Sequence, residues 1–574
     1  MSYNNTKLVA GLLGYALLAC SISGCSFDSF SKTATETSSE SSSSATEITY
    51  LNADDMFTDR DKEVGYDEDT ATAITLSDDA SSCDSSSVSI SDNTITITDE
   101  GTYLLTGSLS DGQVIVNADD KKVQLVLDSV DINCDTSAAL YVKAADKVSV
   151  TLASDSKNTL SNTNDFVAID DNNIDAVIFS KDDLTLNGSG TLTVTAKYGH
   201  GIVSKDDLVI TSGTYQITAA KHALSGQDSM RIADGILTLN AGTDGIHSEN
   251  TDDDAKGFIY IANGDISITA DSDGFDAEET LQVDGGNIEV YAGDDGLHSD
   301  DDLIITAGTI NVTKSYEGLE GMTVTIEDGD ISVVSSDDGI NASGDGTSGE
   351  SSQGGTPPEK PDDSDSTEDR SEPPNRFDKN DNSSADSNSD SNSDSKSADL
   401  PDGNAGPGDE NGGPGGSNGG PGGGMENTTD YNLIQISGGK IYINASGDGI
   451  DSNGNLTVTG GEIYVDGPTS GGDGALDCSG TTLISGGTVI AVGSSGMAEN
   501  FDSSSAQGSM ITTVSDSMIT GDITLTDSKG NTIVSYSPSK EYSSVVISCA
   551  DLKEGETYTL VAGDTSTSVS LNQK

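Results

Sequence analysis

A right-handed parallel β-helix is the fold class this sequence predicts, and three observations lead to it. The first is a phrase that recurs as Asp244-Gly245-Ile246-His247-Ser248, Asp273-Gly274-Phe275-Asp276-Ala277, Asp295-Gly296-Leu297-His298-Ser299, Asp338-Gly339-Ile340-Asn341-Ala342 and Asp448-Gly449-Ile450-Asp451-Ser452. The apolar centres Ile202, Leu224, Ile246, Phe275, Leu297, Leu319 and Ile340 lie 22, 22, 29, 22, 22 and 21 residues apart, so one rung carries a loop. The second is what fills each period: two alternating apolar runs split by glycine, as in Leu303-Ile304-Ile305-Thr306, Gly308 and Thr309-Ile310-Asn311-Val312-Thr313, with no helical periodicity. The third is a single inward column, Leu192, Tyr215, Leu237, Ile266, Ile288, Ile310, Ile331, Ile441 and Ile463, in the same place in every repeat. Short strands without a helix exclude leucine-rich and helical solenoids, and the period is too short for a propeller blade. At about 3.3 Å per residue one coil has a perimeter of about 70 Å, enough for a packed interior and not for a channel. Parallel crossovers are right-handed almost without exception.

Taken in order along the chain, residues 1–24 have the form of a lipoprotein signal peptide. Lys7 supplies the charge, Leu8 to Leu18 the apolar stretch, and Ile22-Ser23-Gly24-Cys25 a bacterial lipobox; Leu17-Leu18-Ala19-Cys20 is a competitor with a shorter apolar run. Cleavage before Cys25 and lipidation there would place the protein on the extracellular face of the bacterial membrane, touching lipid only through its anchor. Residues 25–60 read as a Ser-rich tether, 61–175 as N-terminal β-rich rungs and 176–342 as the β-helix. The pattern stops over 343–428, an acidic Gly/Pro/Ser-rich insertion with too few apolar residues to fold alone, and so expected to be disordered. The last rungs resume over 429–500, and 501–574 lacks the rung phrase and reads as a small β cap, which a solenoid end requires. Cys83, Cys134, Cys478 and Cys549 are widely spaced and form no metal-binding doublet; their pairing cannot be deduced.

Charge narrows the partners. The chain has 574 residues, 97 acidic against 26 basic, for a net charge of −71, which repels nucleic acid and anionic lipid and attracts divalent cations. A monomer is expected. Alignment of the rungs stacks these acids in two columns. The residue before the turn glycine or alanine reads His200, His222, Asp244, Asp273, Asp295, Glu317, Asp338, Asp448. Two residues beyond that glycine or alanine the chain reads Val203, Ser225, His247, Asp276, His298, Glu320, Asn341, Asp451, Asp477. Neighbours about 5 Å apart would repel unless bridged, and Ca²⁺, which takes six to eight oxygens, is the cofactor such ladders suit. The candidate ligands are Asp244, Asp273, Asp276, Asp295, Glu317, Glu320, Asp338, Asp448 and Asp451. Each aspartate taken singly is also explained as a turn residue. All four histidines fall in the two columns, with carboxylates and no thiolates, so zinc is the weaker assignment.

By this point the chain resembles the clostridial family of secreted carbohydrate-binding β-helix proteins with a polysaccharide-lyase-like fold. The similarity runs from about residue 85 through Thr94-Ile95-Thr96-Ile97, Gly101-Thr102-Tyr103-Leu104-Leu105-Thr106-Gly107, Val123-Gln124-Leu125-Val126-Leu127-Asp128, Lys181-Asp182-Asp183-Leu184, Ser204-Lys205-Asp206-Asp207-Leu208, Ser315-Tyr316-Glu317-Gly318-Leu319-Glu320-Gly321 and Gly555-Glu556-Thr557-Tyr558-Thr559-Leu560. The resemblance implies calcium-assisted binding of plant cell-wall polysaccharide, either pectin (polygalacturonate) or cellulose. It does not imply catalysis. Gly199-His200-Gly201 resembles a motif of β-helical polygalacturonases, but it precedes the Asp-rich turns and has no Arg-Ile-Lys partner, so it reads as architecture.

Two other function classes stay open. A calcium-dependent pectate lyase needs a basic residue near the metal to take the C5 proton; Lys181, Lys205, Lys221, Arg231 and Lys256 are the candidates, with Lys181 and Lys205 at matching positions on adjacent rungs, and their alternative is a solvated, salt-paired ladder. A structural surface adhesin fits the anchor and tether equally well. No Trp is present for a flat cellulose platform; Tyr442 and Tyr464, 22 residues apart and both outward, are the carbohydrate-binding candidates, or a plain aromatic ladder.

Overall fold

The computed structural model describes residues 48–253, 255–344 and 432–571. Among these there is no helix, and 39 strands join one hydrogen-bonded sheet of largely parallel neighbours, the arrangement of a β-helix-like solenoid. Three strand positions recur. One runs through Thr191–Ala196, Thr214–Ala219, Ile236–Ala241 and Asp265–Ala270. The second runs through His200–Ser204, Leu224–Gly226, Ile246–Ser248 and Phe275–Ala277, and the third through Leu184–Gly188, Asp207–Ile210, Ser229–Ile232 and Phe258–Ile261. Each strand pairs in parallel with the next copy of itself.

Alternation sets the core. In the first position every second residue points inward, and the column from Leu192 to Ile463 pairs in unbroken register. All nine of its members are at most 2% exposed, so each rung contributes one fully buried apolar side chain to a continuous core. In the long step, residues 249–257 stand between Ser248 and Phe258, where the previous rung has only 227 and 228.

The third position is buried on its outer face as well, which alternation alone does not predict. Thr185, Val209, Tyr260, Gln282 and Ile304 are all at most 3% exposed. The chain's own residues from Thr49 to Gly65 lie across them. Leu51 N donates to Gln282 Oε1 at 2.7 Å, the Phe57 and Tyr260 rings are 5.9 Å apart, and Arg231 Nη1 donates to Met56 O at 3.1 Å. Further along, Thr185 Oγ1 donates to Asp61 Oδ1 at 2.7 Å. The tether expected to reach residue 60 is therefore corrected: from Thr49 onward the chain is a strap fastened to the rungs. Its backbone groups are met by side chains far away in sequence, so no local periodicity marks it.

The signal peptide, Cys25 and nearly all of the expected insertion lie outside the described residues. Strand Leu319–Ile326 pairs with both Ile340–Ala342 and Leu433–Ile436, so the two flanks of 345–431 meet on one rung. At the far end, Thr488–Gly493 and Ser509–Thr513 both pair antiparallel with Ser544–Ser548, which ends the parallel stacking. Ile523–Thr526, Thr532–Tyr536, Thr557–Ala562 and Thr565–Ser570 form a separate four-stranded antiparallel sheet, packed through Ile523, Leu525 and Leu560 into one cluster with Ile490 and Val492. Cys83, Cys134, Cys478 and Cys549 are free.

Candidate metal centre

The recurring Asp-Gly positions the acids, and for a reason other than turn chemistry. Gly245, Gly274, Gly296, Gly318, Gly339 and Gly449 have no positive φ. A Cβ on Gly274 would instead lie 2.4 Å from Gly296 O and 2.4 Å from Val290 Cγ1, so the glycine is required by the close approach of the next rung. Through that contact the backbone continues its ladder: Gly245 N donates to Asp273 O at 2.9 Å, Gly274 N to Asp295 O at 2.9 Å and Gly296 N to Glu317 O at 3.0 Å. The pre-turn acids are thereby stacked one above another.

Their side chains bond along the stack. Asp244 Oδ1 accepts from Asp273 N at 3.2 Å, Asp273 Oδ1 from Asp295 N at 2.7 Å, Asp295 Oδ1 from Glu317 N at 3.1 Å and Asp338 Oδ1 from Asp448 N at 2.6 Å. One oxygen of each is thus occupied by a backbone amide; the second oxygen of Asp244 meets His222 Nδ1 at 2.7 Å and that of Asp273 accepts from Ser272 Oγ at 3.1 Å. The second column is in register at every step, from Val203↔Ser225 through Ser225↔His247, His247↔Asp276, Asp276↔His298, His298↔Glu320, Glu320↔Asn341 and Asn341↔Asp451 to Asp451↔Asp477.

The two columns converge in clusters. Asp244, Asp273 and Asp276 each offer an oxygen within 4.8 Å of the others, as do Asp295, Glu317 and Glu320, and Asp338, Asp448 and Asp451. All nine sequence candidates are brought together, three to a cluster. Each cluster repeats one geometry: the pre-turn acid of a rung, the pre-turn acid of the next rung, and the residue three positions after that.

Electrostatics shows what the clusters lack. Burial first, and neighbouring carboxylates second, push Asp273, Asp338 and Asp451 up to about 7 and Asp448 up to about 6. Asp295 and Glu317 are pushed up by burial and by Glu320. Asp244 alone is held low; burial opposes this, but its hydrogen bond to His222 prevails. His298 is held protonated despite burial by its hydrogen bond to Asp276, with Nδ1 3.2 Å from Oδ1. One histidine cannot offset the remaining charge, so a bound cation or retained protons must do so. The donor set suits calcium: carboxylate oxygens alone, in threes, with Asn341 Oδ1 buried beside them and without a hydrogen-bond partner.

The other candidates are placed elsewhere. Lys181 and Lys205 are exposed, and the charge of Lys205 acts on Asp175 and His200. Tyr442 and Tyr464 pair in register but do not form an outward platform. The Tyr464 ring stacks on Tyr536 at 5.1 Å, and Tyr442 Oη donates to Asp466 Oδ2 at 2.8 Å and meets Ser539 Oγ at 2.9 Å. The C-terminal segment meets the ring of Tyr464 and the hydroxyl of Tyr442, contacts with no periodic signature. A fourth cluster joins Asp244 to His222 and His247, two residues outside the sequence-based ligand set. Applying the same three positions to every rung, instead of to acids alone, would have found it.

Residues 91–347 match the family model described as carbohydrate-binding domain-containing protein. A curated protein of the same description from Acetivibrio thermocellus is 38% identical over 135 residues, which are 23% of this chain. The chain spans 47% of the length of that relative, about half. A solved structure of a polysaccharide lyase-like protein from C. thermocellum, a gadolinium derivative, is 34% identical with a TM-score of 0.40, and the match covers 41% of this chain and 97% of that one.

Proposed function

We propose, with the match of residues 91–347 to a carbohydrate-binding family as the premise, that this chain binds plant cell-wall polysaccharide at the bacterial surface and uses calcium held on its carboxylate ladder. The observation that carries this reading is the threefold recurrence of one carboxylate geometry along the stack. Two polyanions repel, so an acidic pectin chain can be held by a protein of net charge −71 only through divalent bridges. The scaffold we propose is a right-handed coil of about 22 residues per rung, capped by the C-terminal sheet and acting as a monomer. Lipidation of Cys25 would anchor it on the extracellular face of the membrane.

The role is proposed as non-catalytic. A lyase needs a base beside its metal, and the charges that act most on Asp273, Asp295, Glu317 and Asp338 are those of other carboxylates and His298. Neither Lys181 nor Lys205 is among them.

Polygalacturonate binding should disappear with EDTA, return with calcium, and weaken in Asp273→Asn combined with Asp295→Asn, which removes two neighbouring charges and keeps their shape. Full binding in EDTA by a folded protein refutes calcium bridging. Binding of cellulose alone would assign the ladder to the fold, and binding of neither would favour a structural adhesin. Unsaturated uronate products, seen as rising ultraviolet absorbance, would establish a lyase.

A further inference from the structure

The ladder changes its chemistry along its length. The three acidic clusters offer oxygen alone, but the cluster at the N-terminal end of the ladder presents two imidazoles and one carboxylate at the same three positions: His222 before the turn, Asp244 before the next turn, and His247 three residues on. We infer that His222, Asp244 and His247 form a binding site for a divalent transition metal of the zinc class, with calcium excluded by its ligand chemistry. Imidazole nitrogen suits zinc, nickel and copper, while calcium takes oxygen.

The geometry is close to what such an ion needs. His222 Nδ1 and Asp244 Oδ2 are 2.7 Å apart, and one donor atom from each of the three residues lies within 4.8 Å of the others. Donors of a tetrahedral zinc site, each about 2.1 Å from the ion, lie about 3.4 Å from one another, so side-chain rotations are needed to close the cluster. The rings of His222 and His247 stack at 4.3 Å with 13° between planes, so the imidazoles must turn about Cβ–Cγ to bring their in-plane nitrogens onto one ion. The far nitrogen of His247 faces carboxylates, with Nε2 3.5 Å from Asp276 Oδ2 and 3.7 Å from Glu249 Oε2. That is the support which orients a ligating imidazole; Nδ1, whose neighbour is Ser225 Oγ at 3.5 Å, is the nitrogen for the metal. The side chains of His222 and His247 are 20% and 16% exposed, so an ion and a water can reach them. His298 occupies the same column but is committed to Asp276 and Glu320, which makes it the internal control.

The site shares Asp244 with the first acidic cluster, and the test separates zinc held by the imidazoles from calcium held by the acids. Zinc is titrated by calorimetry into the full chain without calcium and again with calcium in large excess. One equivalent of zinc should bind in both conditions. His222→Gln and His247→Gln should each weaken it at least about tenfold, since even an outer-shell loss does as much, whereas His298→Gln should not, with circular dichroism checking the fold of each variant. Should the variants fail to fold, Co²⁺ added to the unsubstituted chain should give a visible absorption that excess calcium does not remove. Zinc displaced by calcium, zinc affinity unchanged in folded His222→Gln and His247→Gln, or no calcium-resistant cobalt absorption would overturn the assignment.

Discussion

Asp61 is the fastening point of the strap, and replacing it with asparagine should loosen the strap by a calculable amount. Its side chain is 1% exposed; Oδ1 lies 2.5 Å from Lys147 Nζ and accepts from Thr185 Oγ1, and Oδ2 accepts from Thr58 N at 2.9 Å and Thr58 Oγ1 at 2.7 Å. Burial works against ionisation, yet Lys147 and the two threonines hold its pKa at about 2 against an ordinary 3.8. That depression is worth about 2.5 kcal/mol at neutral pH. In Asp61→Asn the Lys147 ammonium, 11% exposed, keeps only Asp183 at 3.7 Å, so the loss should be no smaller. Opening of the strap should then rise about 70-fold. Hydrogen exchange of the amides from 49 to 65, together with trypsin cleavage at Arg60 and Lys62, reads it directly. The pH dependence has a definite sign. Because the folded pKa is depressed, the contribution is complete above about pH 4 and fades as the pH falls through about 2. The native chain should lose its extra protection over that window, and the variant should show no corresponding loss. Equal exchange in both proteins at neutral pH would refute the account of the strap.

Other perturbations test the ladder and the ends. Gly274→Ala forces a Cβ against Gly296 O and Val290 and should cost roughly 3 kcal/mol in urea unfolding, while Gly472→Ala, with nothing within 4 Å, should change stability by less than about 0.5 kcal/mol. An equal cost at both positions would remove the close-approach explanation. Deleting Gly344 to Asn427 should preserve cooperative unfolding and melting temperature, because strand Leu319–Ile326 already pairs with both flanks; a large fall in melting temperature contradicts this. Mass spectrometry of the protein from membranes should find a lipidated Cys25 as the first residue, and an unmodified terminus elsewhere dismisses the anchor.

Much of the fold was legible because a solenoid converts sequence spacing into spatial register. Once Ile202, Leu224 and Ile246 are seen 22 residues apart, every residue at a constant offset must stack, so the core column and the His/Asp/Glu column follow by counting. The nine ladder acids were legible on the same ground. Their joint state was not: the raised pKa of Asp273 depends on how far burial removes it from water, which spacing does not report.

What the sequence alone determined is therefore whatever repeats: the parallel rungs, the inward column and the succession of acids along one edge. What only the tertiary structure decided lies between segments with no periodic relation. The strap from Thr49 to Gly65 covers the outer face of the third strand position, Tyr536 and Ser539 occupy the tyrosines that spacing had left exposed, and His222 and His247 meet Asp244 as the acids meet one another. The glycine of each Asp-Gly also belongs here, since Gly274 is fixed by the carbonyl of the following rung and not by its own turn. The physical reason is common to all of these. A repeat encodes contacts between equivalent positions, whereas a contact between unlike positions is set by which surfaces remain unburied once the coil has closed, and that is decided in three dimensions.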